Sequence, residues 1–141
     1  MNSRMHRLKV SCEPKDLDED YVINFLKTSY WAKDRSKASF RTSFQHSICF
    51  SLLLDEKQIG FARVVTDRTV FAYLMDVFID ESYKGLGYGS FLLEHILKSP
   101  ELINVEGIKL ATHDAHSFYL KKGFKPVSHP EYLMEKTQTN S

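Results

Sequence analysis

Tyr83-Lys84-Gly85-Leu86-Gly87-Tyr88-Gly89 is the stretch that decides how this chain is read. Its three alternating glycines open backbone conformations that other residues avoid, and they let a ligand approach the main chain closely. They leave N–H groups free where an apolar helical pattern begins. Those groups and the positive end of the helix together make an anion site, and Lys84 adds a charge beside it. The segment has the physical character of a pyrophosphate cradle, of which three kinds must be separated. A P-loop needs Gly-x-x-x-x-Gly-Lys-Ser/Thr, which this chain lacks. A dinucleotide fold needs Gly-x-Gly-x-x-Gly early in a βαβ unit, with an acid about 20 residues on. Here the spacing is Gly-x-Gly-x-Gly, the unit comes late, and Glu106 precedes the next strand. A coenzyme A cradle remains, beside a ligand-free reading in which the glycines only permit a tight helix start.

Upstream, Val70 to Asp80 reads as a long strand rich in aromatic and β-branched residues. Gln58 to Thr66 and Ser47 to Leu54 read as the strands before it, set apart by the turns Asp67-Arg68-Thr69 and Asp55-Glu56-Lys57. Connections this short predict an antiparallel meander. Met5 to Val10 reads as a first strand. Pro14, followed by Asp16, Asp18, Glu19 and Asp20, opens a helix, since carboxylates suit its positive end. Leu17, Tyr21 and Phe25 continue that helix at four-residue spacing. Ser36 caps a second helix carrying Phe40 and Phe44.

Downstream, Gly87 to Lys98 is helical, with Phe91, Leu92, His95 and Ile96 on one side, and Pro100 stops it. Gly107 to Thr112 is a strand, and the order strand, helix, strand predicts a parallel right-handed crossover. Ala115 to Lys122 is a short helix ending at Gly123. Phe124 to Val127 and Tyr132 to Lys136 read as closing strands. The fold class is α/β: a mixed, mostly antiparallel sheet of six to seven strands flanked by about four helices.

The chain has 141 residues and a net charge of +1, which predicts one domain over 1–141 with a flexible tail at 136–141. So small a charge favours neither nucleic acid nor an anionic membrane as partner. The longest uncharged stretch, Thr42 to Leu54, is too short and too polar to cross a bilayer. Met1 to His6 lacks the apolar run of a leader. Cys12 and Cys49 have no metal-like or redox spacing, so reduced thiols and a cytoplasmic location are expected.

Two blocks carry a family resemblance. Ile79-x-Glu81-x-Tyr83-Lys84-Gly85-x-Gly87-x-Gly89 resembles motif A of the GNAT superfamily of N-acetyltransferases. Ala115-His116-Ser117-Phe118-Tyr119-Leu120-Lys121-Lys122-Gly123-Phe124 resembles motif B, and the two stand in the family's order. Glu81 replaces the usual Pro, Lys84 the usual Arg, and Thr112 a common Asn. The chain looks most like small, standalone bacterial members. The resemblance implies acetyl-coenzyme A as cosubstrate and no metal. It implies that Val77, Phe78 and Ile79 pair with the pantetheine arm through their backbone. Lys84, Gly85, Leu86, Gly87, Tyr88 and Gly89 then hold the pyrophosphate. A backbone N–H near Val77 or Phe78 polarises the thioester carbonyl, and Tyr119 is the general acid. Its alternative is a core tyrosine that anchors the last helix.

The acceptor amine must be deprotonated before it attacks. Asp76, in Tyr73-Leu74-Met75-Asp76-Val77, is a carboxylate among apolar neighbours and needs either a purpose or a partner. It is a candidate general base, or else a structural partner of Arg63. His113 and Asp114 are secondary candidates. Tyr30, Trp31 and Arg35 lie where the family walls its acceptor pocket and suit a small, partly apolar acceptor with a carboxylate; Trp31 equally suits packing at a helix junction. Cys49 is a minor candidate for a covalent acetyl carrier, and His113-x-x-His116 lacks a third metal ligand. A small-molecule amine is the expected acceptor and a protein or peptide amine the second choice. A non-catalytic coenzyme A sensor is the alternative of a different class. A monomer or homodimer is expected.

Overall fold

The computed structural model describes residues 7–138. The chain divides after Leu110 into two compact units.

The first unit is built on a five-stranded sheet in the order β1-β2-β3-β4-β5. Its strands are β1 (Leu8–Ser11), β2 (Ile48–Leu54), β3 (Lys57–Thr66), β4 (Phe71–Ile79) and β5 (Gly107–Lys109). β1 to β4 pair antiparallel, β2 to β4 as their short turns require, and β5 joins β4 in parallel. The β2–β3 turn is tight because Asp55 and Glu56 both take positive φ. Met5 and His6, part of the expected first strand, lie outside the described residues.

Two helices, α1 (Glu19–Leu26) and α2 (Lys37–Gln45), start where capping predicts. The Asp18 side chain accepts from the Tyr21 N–H, and Ser36 Oγ accepts from the Ser39 N–H. Pro14–Asp16 forms a separate 3₁₀ turn ahead of α1. Val22, Ile23 and Leu26 of α1 and Phe40 and Phe44 of α2 join Phe61 and Phe78 of the sheet in one buried cluster. Phe25 stacks on Phe78 with centroids 3.9 Å apart. The third helix, α3 (Tyr88–Leu97), is the crossover between β4 and β5 and buries Leu92, Leu93 and Ile96. His95, expected on the apolar side, is exposed, and Leu93 takes its place.

β4 is not a regular strand. Phe61 pairs with Phe78 and Arg63 with Met75, so Ala62 alone faces both Asp76 and Val77. Asp76 has φ 54°. This is a β-bulge, which breaks the two-residue alternation of the strand. Leu74 pairs with Val64 while Phe78 pairs with Phe61. Leu74 and Phe78 therefore lie on opposite faces of the sheet, although their spacing would put them on one face of a regular strand.

The second unit holds α4 (His116–Leu120) and a 3₁₀ turn at Pro130–Tyr132. Gly123 follows α4 with φ 95°, as a helix-ending glycine does. Tyr119 packs edge-on against Phe118 and Phe124. The two closing strands expected at Phe124–Val127 and Tyr132–Lys136 do not form, so the sheet has five strands among the described residues rather than six or seven. Pro126 lacks the N–H that a ladder needs in the first segment, and among the described residues no neighbouring strand pairs with either. Residues 136–138 are exposed and without regular structure; 139–141 lie outside the described residues.

Phe61 is fully buried at the centre of the α1–α2 cluster. Phe61→Ala should cost about 3–5 kcal/mol. Chemical denaturation followed by circular dichroism checks this, and an unchanged midpoint would contradict the packing described.

Candidate active site

The opening of the sheet comes first. β4 and β5 pair only at Phe71–Gly107, Ala72–Ile108 and Tyr73–Lys109. Among the described residues, β4 runs on from Leu74 to Ile79 with no pairing strand on that side. The bulge at Asp76 and Val77 disturbs the ladder to β3 at the same level. Val77, Phe78 and Ile79 thus carry a backbone edge available to an extended ligand.

β4 delivers the chain into a structured turn. Asp80 Oδ1 accepts from the Ser82 N–H at 3.0 Å, and Asp80 Oδ2 accepts from the Tyr21 hydroxyl at 2.8 Å. Lys84 to Gly89 then lead into α3. Gly85 and Gly87 have φ of 79° and 83°, a region closed to most side chains. A Cβ built on either would meet nothing within 4 Å, so both glycines border open space. Gly87 is the N-cap of α3 and supplies no side-chain acceptor to the helix's first N–H groups. These groups are therefore unfilled by the protein's own caps, which fits an anionic group such as a pyrophosphate. The Lys84 ammonium pairs with Glu81 at 2.8 Å. Sequence reasoning noted Glu81 only as a replacement for proline, although its spacing of three from Lys84 allowed the pair.

A cleft of about 560 Å³ adjoins this turn, lined by Leu54 and Lys57 on one side and by Tyr83, Leu86 and Tyr88 on the other. Its lining draws on the β2–β3 turn and on the glycine turn, and on none of Val77, Phe78 and Ile79.

Asp76 is the other centre. Its side chain is fully buried. Oδ1 accepts from Trp31 Nε1 at 2.8 Å and Arg35 NH2 at 3.3 Å; Oδ2 accepts from Arg35 NH1 at 3.0 Å and Arg63 Nε at 2.7 Å. Arg63 also donates to Ser47 Oγ. Four donors fill the roughly four lone-pair sites of a carboxylate. Burial alone would raise the Asp76 pKa, but the hydrogen bonds and charges of Arg35 and Arg63 outweigh it and hold the carboxyl below its ordinary range. The geometry does not fit the base role expected of Asp76, because no lone pair is free and the bound ion is a weak base. Its expected partner Arg63 is present. Trp31 and Arg35, expected only at the acceptor wall, are bound to it as well. Sequence alone gave no signal for those contacts, since both partners lie more than forty residues away.

Tyr30 and Trp31 meet edge-on at 5.1 Å and are largely exposed. Lys27 Nζ donates to the Arg35 carbonyl at 2.9 Å, closing the same loop. In the second unit, burial raises the Tyr119 phenol above its ordinary pKa. His113 and Asp114 lie in an exposed bend before α4, and Thr112 Oγ1 accepts from the Ala115 N–H. Burial, partly offset by Arg63, pushes the Cys49 thiol up to about 12, which keeps it protonated and disfavours a covalent route. Among the described residues no group of His, Cys, Asp and Glu gathers as a metal site. No described helix is long and apolar enough to cross a membrane.

A sheet that opens along β4 beside a glycine-lined helix N-terminus defines an acyltransferase type of α/β fold. The comparisons agree. A family model described as an acetyltransferase (GNAT) domain matches residues 45–126. A crystal structure from Xanthomonas campestris pv. campestris, assigned as a GNAT-family acetyltransferase, is 36% identical with a TM-score of 0.89, covering 94% of each chain. A Gibberella zeae protein assigned as an acetyltransferase is 27% identical over 82% of this chain and 78% of its own length. A Porphyra purpurea protein assigned as an N-acetyltransferase is 30% identical over 67% of this chain and 57% of its own length. The chain belongs to the GNAT acetyltransferase family.

Removing the Asp76 carboxylate leaves Arg63 buried without its partner. Asp76→Ala should therefore cost about 3–5 kcal/mol. The folded pKa of Asp76 is depressed, so its contribution is full above the unfolded value of about 3.9 and is lost as pH falls through the folded value. Wild-type stability should drop as pH is taken below about 4. Asp76→Asn should lack that part of the drop in urea titrations at each pH; an identical profile would contradict the assignment.

Proposed function

We propose that this chain is a cytoplasmic N-acetyltransferase that moves an acetyl group directly from acetyl-coenzyme A to the primary amine of a small molecule. The observation that carries the reading is the unpaired edge of β4 leading straight into the glycine-lined end of α3. Lys84, Gly85, Leu86, Gly87, Tyr88 and Gly89 hold the pyrophosphate oxygens through backbone N–H groups, helped by the Lys84 ammonium. Val77, Phe78 and Ile79 pair with the extended arm as an added strand would. A backbone N–H at the bulge, near Val77, faces the developing oxyanion as a fixed donor. Bound acetyl-coenzyme A supplies the activated acetyl group as a thioester.

Tyr119 is the proton donor of this reading. A phenol raised above its ordinary pKa is fully protonated at neutral pH and can give its proton to a departing thiolate. Asp76 acts as a positioning residue: it holds the bulge and, through Trp31 and Arg35, the loop that walls the acceptor. His113 and Asp114 remain the candidates for taking the amine's proton.

Saturating acetyl-coenzyme A about a hundredfold over its dissociation constant should add about 2.7 kcal/mol of stability. That corresponds to a rise in melting temperature on the order of 9 °C. A rise with the coenzyme and none with NAD or ATP supports the donor; a rise with NAD alone withdraws it. Tyr119→Phe should bind the coenzyme normally and lose roughly 10²–10⁴-fold in kcat. Unchanged turnover would remove the acid assignment. Glu81→Gln frees Lys84 from an exposed pair worth about 1 kcal/mol or less. It should therefore tighten coenzyme binding by up to about fivefold in calorimetry. Weaker binding would show that Lys84 does not face the pyrophosphate.

A further inference from the structure

Tyr21 reaches from α1 to the base of the glycine turn. Its hydroxyl donates to Asp80 Oδ2 at 2.8 Å, and its ring rests on Phe78 with centroids 5.9 Å apart. One side chain thus touches both the strand that carries the open edge and the first residue after that strand. Every polar group of Asp80 is engaged. Its N–H donates to the Ile59 carbonyl at 2.8 Å, and its carbonyl accepts from the Tyr83 N–H at 2.9 Å. Oδ1 accepts from the Ser82 N–H and Oδ2 from Tyr21. Asp80 is the N-cap of the 3₁₀ turn Glu81–Tyr83, and Lys84 to Gly89 follow directly. Hydrogen bonds from Ser82 and Tyr21 hold the Asp80 carboxyl below its ordinary range, so the Tyr21 hydroxyl meets a charged acceptor at neutral pH. α1 does not need this hydroxyl to stay on the sheet. Val22, Ile23 and Leu26 are fully buried, Phe25 stacks on Phe78, and the Asp18 N–H donates to the Gln58 side chain at 2.7 Å. What the hydroxyl holds is Asp80.

We propose that Tyr21 is a positioning residue for coenzyme A: acting through Asp80, its hydroxyl fixes where the glycine turn presents its N–H groups relative to the open edge of β4. The inference rests on the coenzyme reading above and deepens it. A bound coenzyme spans both elements, its arm along Val77 to Ile79 and its pyrophosphate at Lys84 to Gly89. Both contacts form together only if the two elements are correctly spaced, and Asp80 is the residue at which strand becomes turn. Gly85 and Gly87, at positive φ, lend the turn little stiffness of its own. Its placement therefore depends on the fixed end that Asp80 provides. A turn held in place before the ligand arrives loses less freedom on binding. Tyr21 suits this work because its N–H is bound by the Asp18 cap and its ring lies against Phe78, so a rigid helix delivers the hydroxyl.

The test is calorimetric titration of the full chain with coenzyme A. Tyr21→Phe removes the hydroxyl and keeps the ring. The turn then occupies its binding arrangement only part of the time, and affinity falls by that fraction. A loss of roughly tenfold is expected from a missing hydrogen bond to a charged group. In an Asp80→Ala background the same substitution should change the affinity little, because the group through which the hydroxyl acts is gone. Arg41→Ala removes the exposed pairs of Arg41 with Glu19 and Asp20 on α1, and should leave the affinity unchanged. Equal affinity in the wild type and Tyr21→Phe overturns the proposal and leaves the coenzyme reading standing. A loss that keeps its full size in the Asp80→Ala background overturns it too, as does an equal loss in Arg41→Ala, which traces the effect to the seating of α1. The comparison of Tyr21→Phe with Arg41→Ala decides even if Asp80→Ala does not fold. A wild type that binds no coenzyme A withdraws the coenzyme reading, and the proposal with it.

Discussion

The carboxylate of Asp76 ties the β3 strand and the loop between α1 and α2 to the bulge of β4. A non-glycine residue at positive φ costs about 1–2 kcal/mol, and the cost is borne here because four donors converge on the side chain. Hydrogen bonds to a charged group contribute about 1.5–3 kcal/mol each before desolvation is counted, enough to outweigh that strain. The bulge so fixed turns β4 over, which delivers Phe78 to the cluster under α1 and α2 while Leu74 stays on the opposite face. The same carboxylate ties down Trp31 and Arg35, so the loop between the two helices is anchored to the strand that bears the open edge.

Electrostatics at the two centres are arranged differently. At Asp76 two guanidiniums and one carboxylate are held in a buried site, where donors and acceptors are matched and no polar side-chain atom is left unsatisfied among the described residues. At the end of α3 the positive potential comes from backbone N–H groups whose directions the glycines set, and Lys84 is an exposed charge already engaged by Glu81. A buried, saturated centre suits shape; an open, unsaturated one suits a ligand. That contrast moves the catalytic expectation away from Asp76 and leaves the glycine turn as the binding element.

Local signals in the sequence were read well. Asp18 and Ser36 were legible as caps, the turns at Asp55 and Asp67 as hairpin connections, and Gly85 and Gly87 as positions needing positive φ. Each rests on the chemistry of one or a few neighbouring residues. The errors share the opposite character. Phe124–Val127 and Tyr132–Lys136 have the composition of strands, but a strand exists only where another supplies its ladder. His95 fits a helical apolar stripe by position, yet Leu93 is the residue that the sheet covers.

The sequence by itself determined the family, the order of elements up to α4 and the character of the glycine turn, because motif spacing, capping and periodicity are local properties. Only the tertiary structure decided that Asp76 is saturated by Trp31, Arg35 and Arg63, that β4 carries a bulge, and that β5 pairs with β4 over three residues only. Those facts depend on contacts between residues far apart in the chain. A side chain's partners are set by the register of strands and the packing of helices, and no short-range pattern records them.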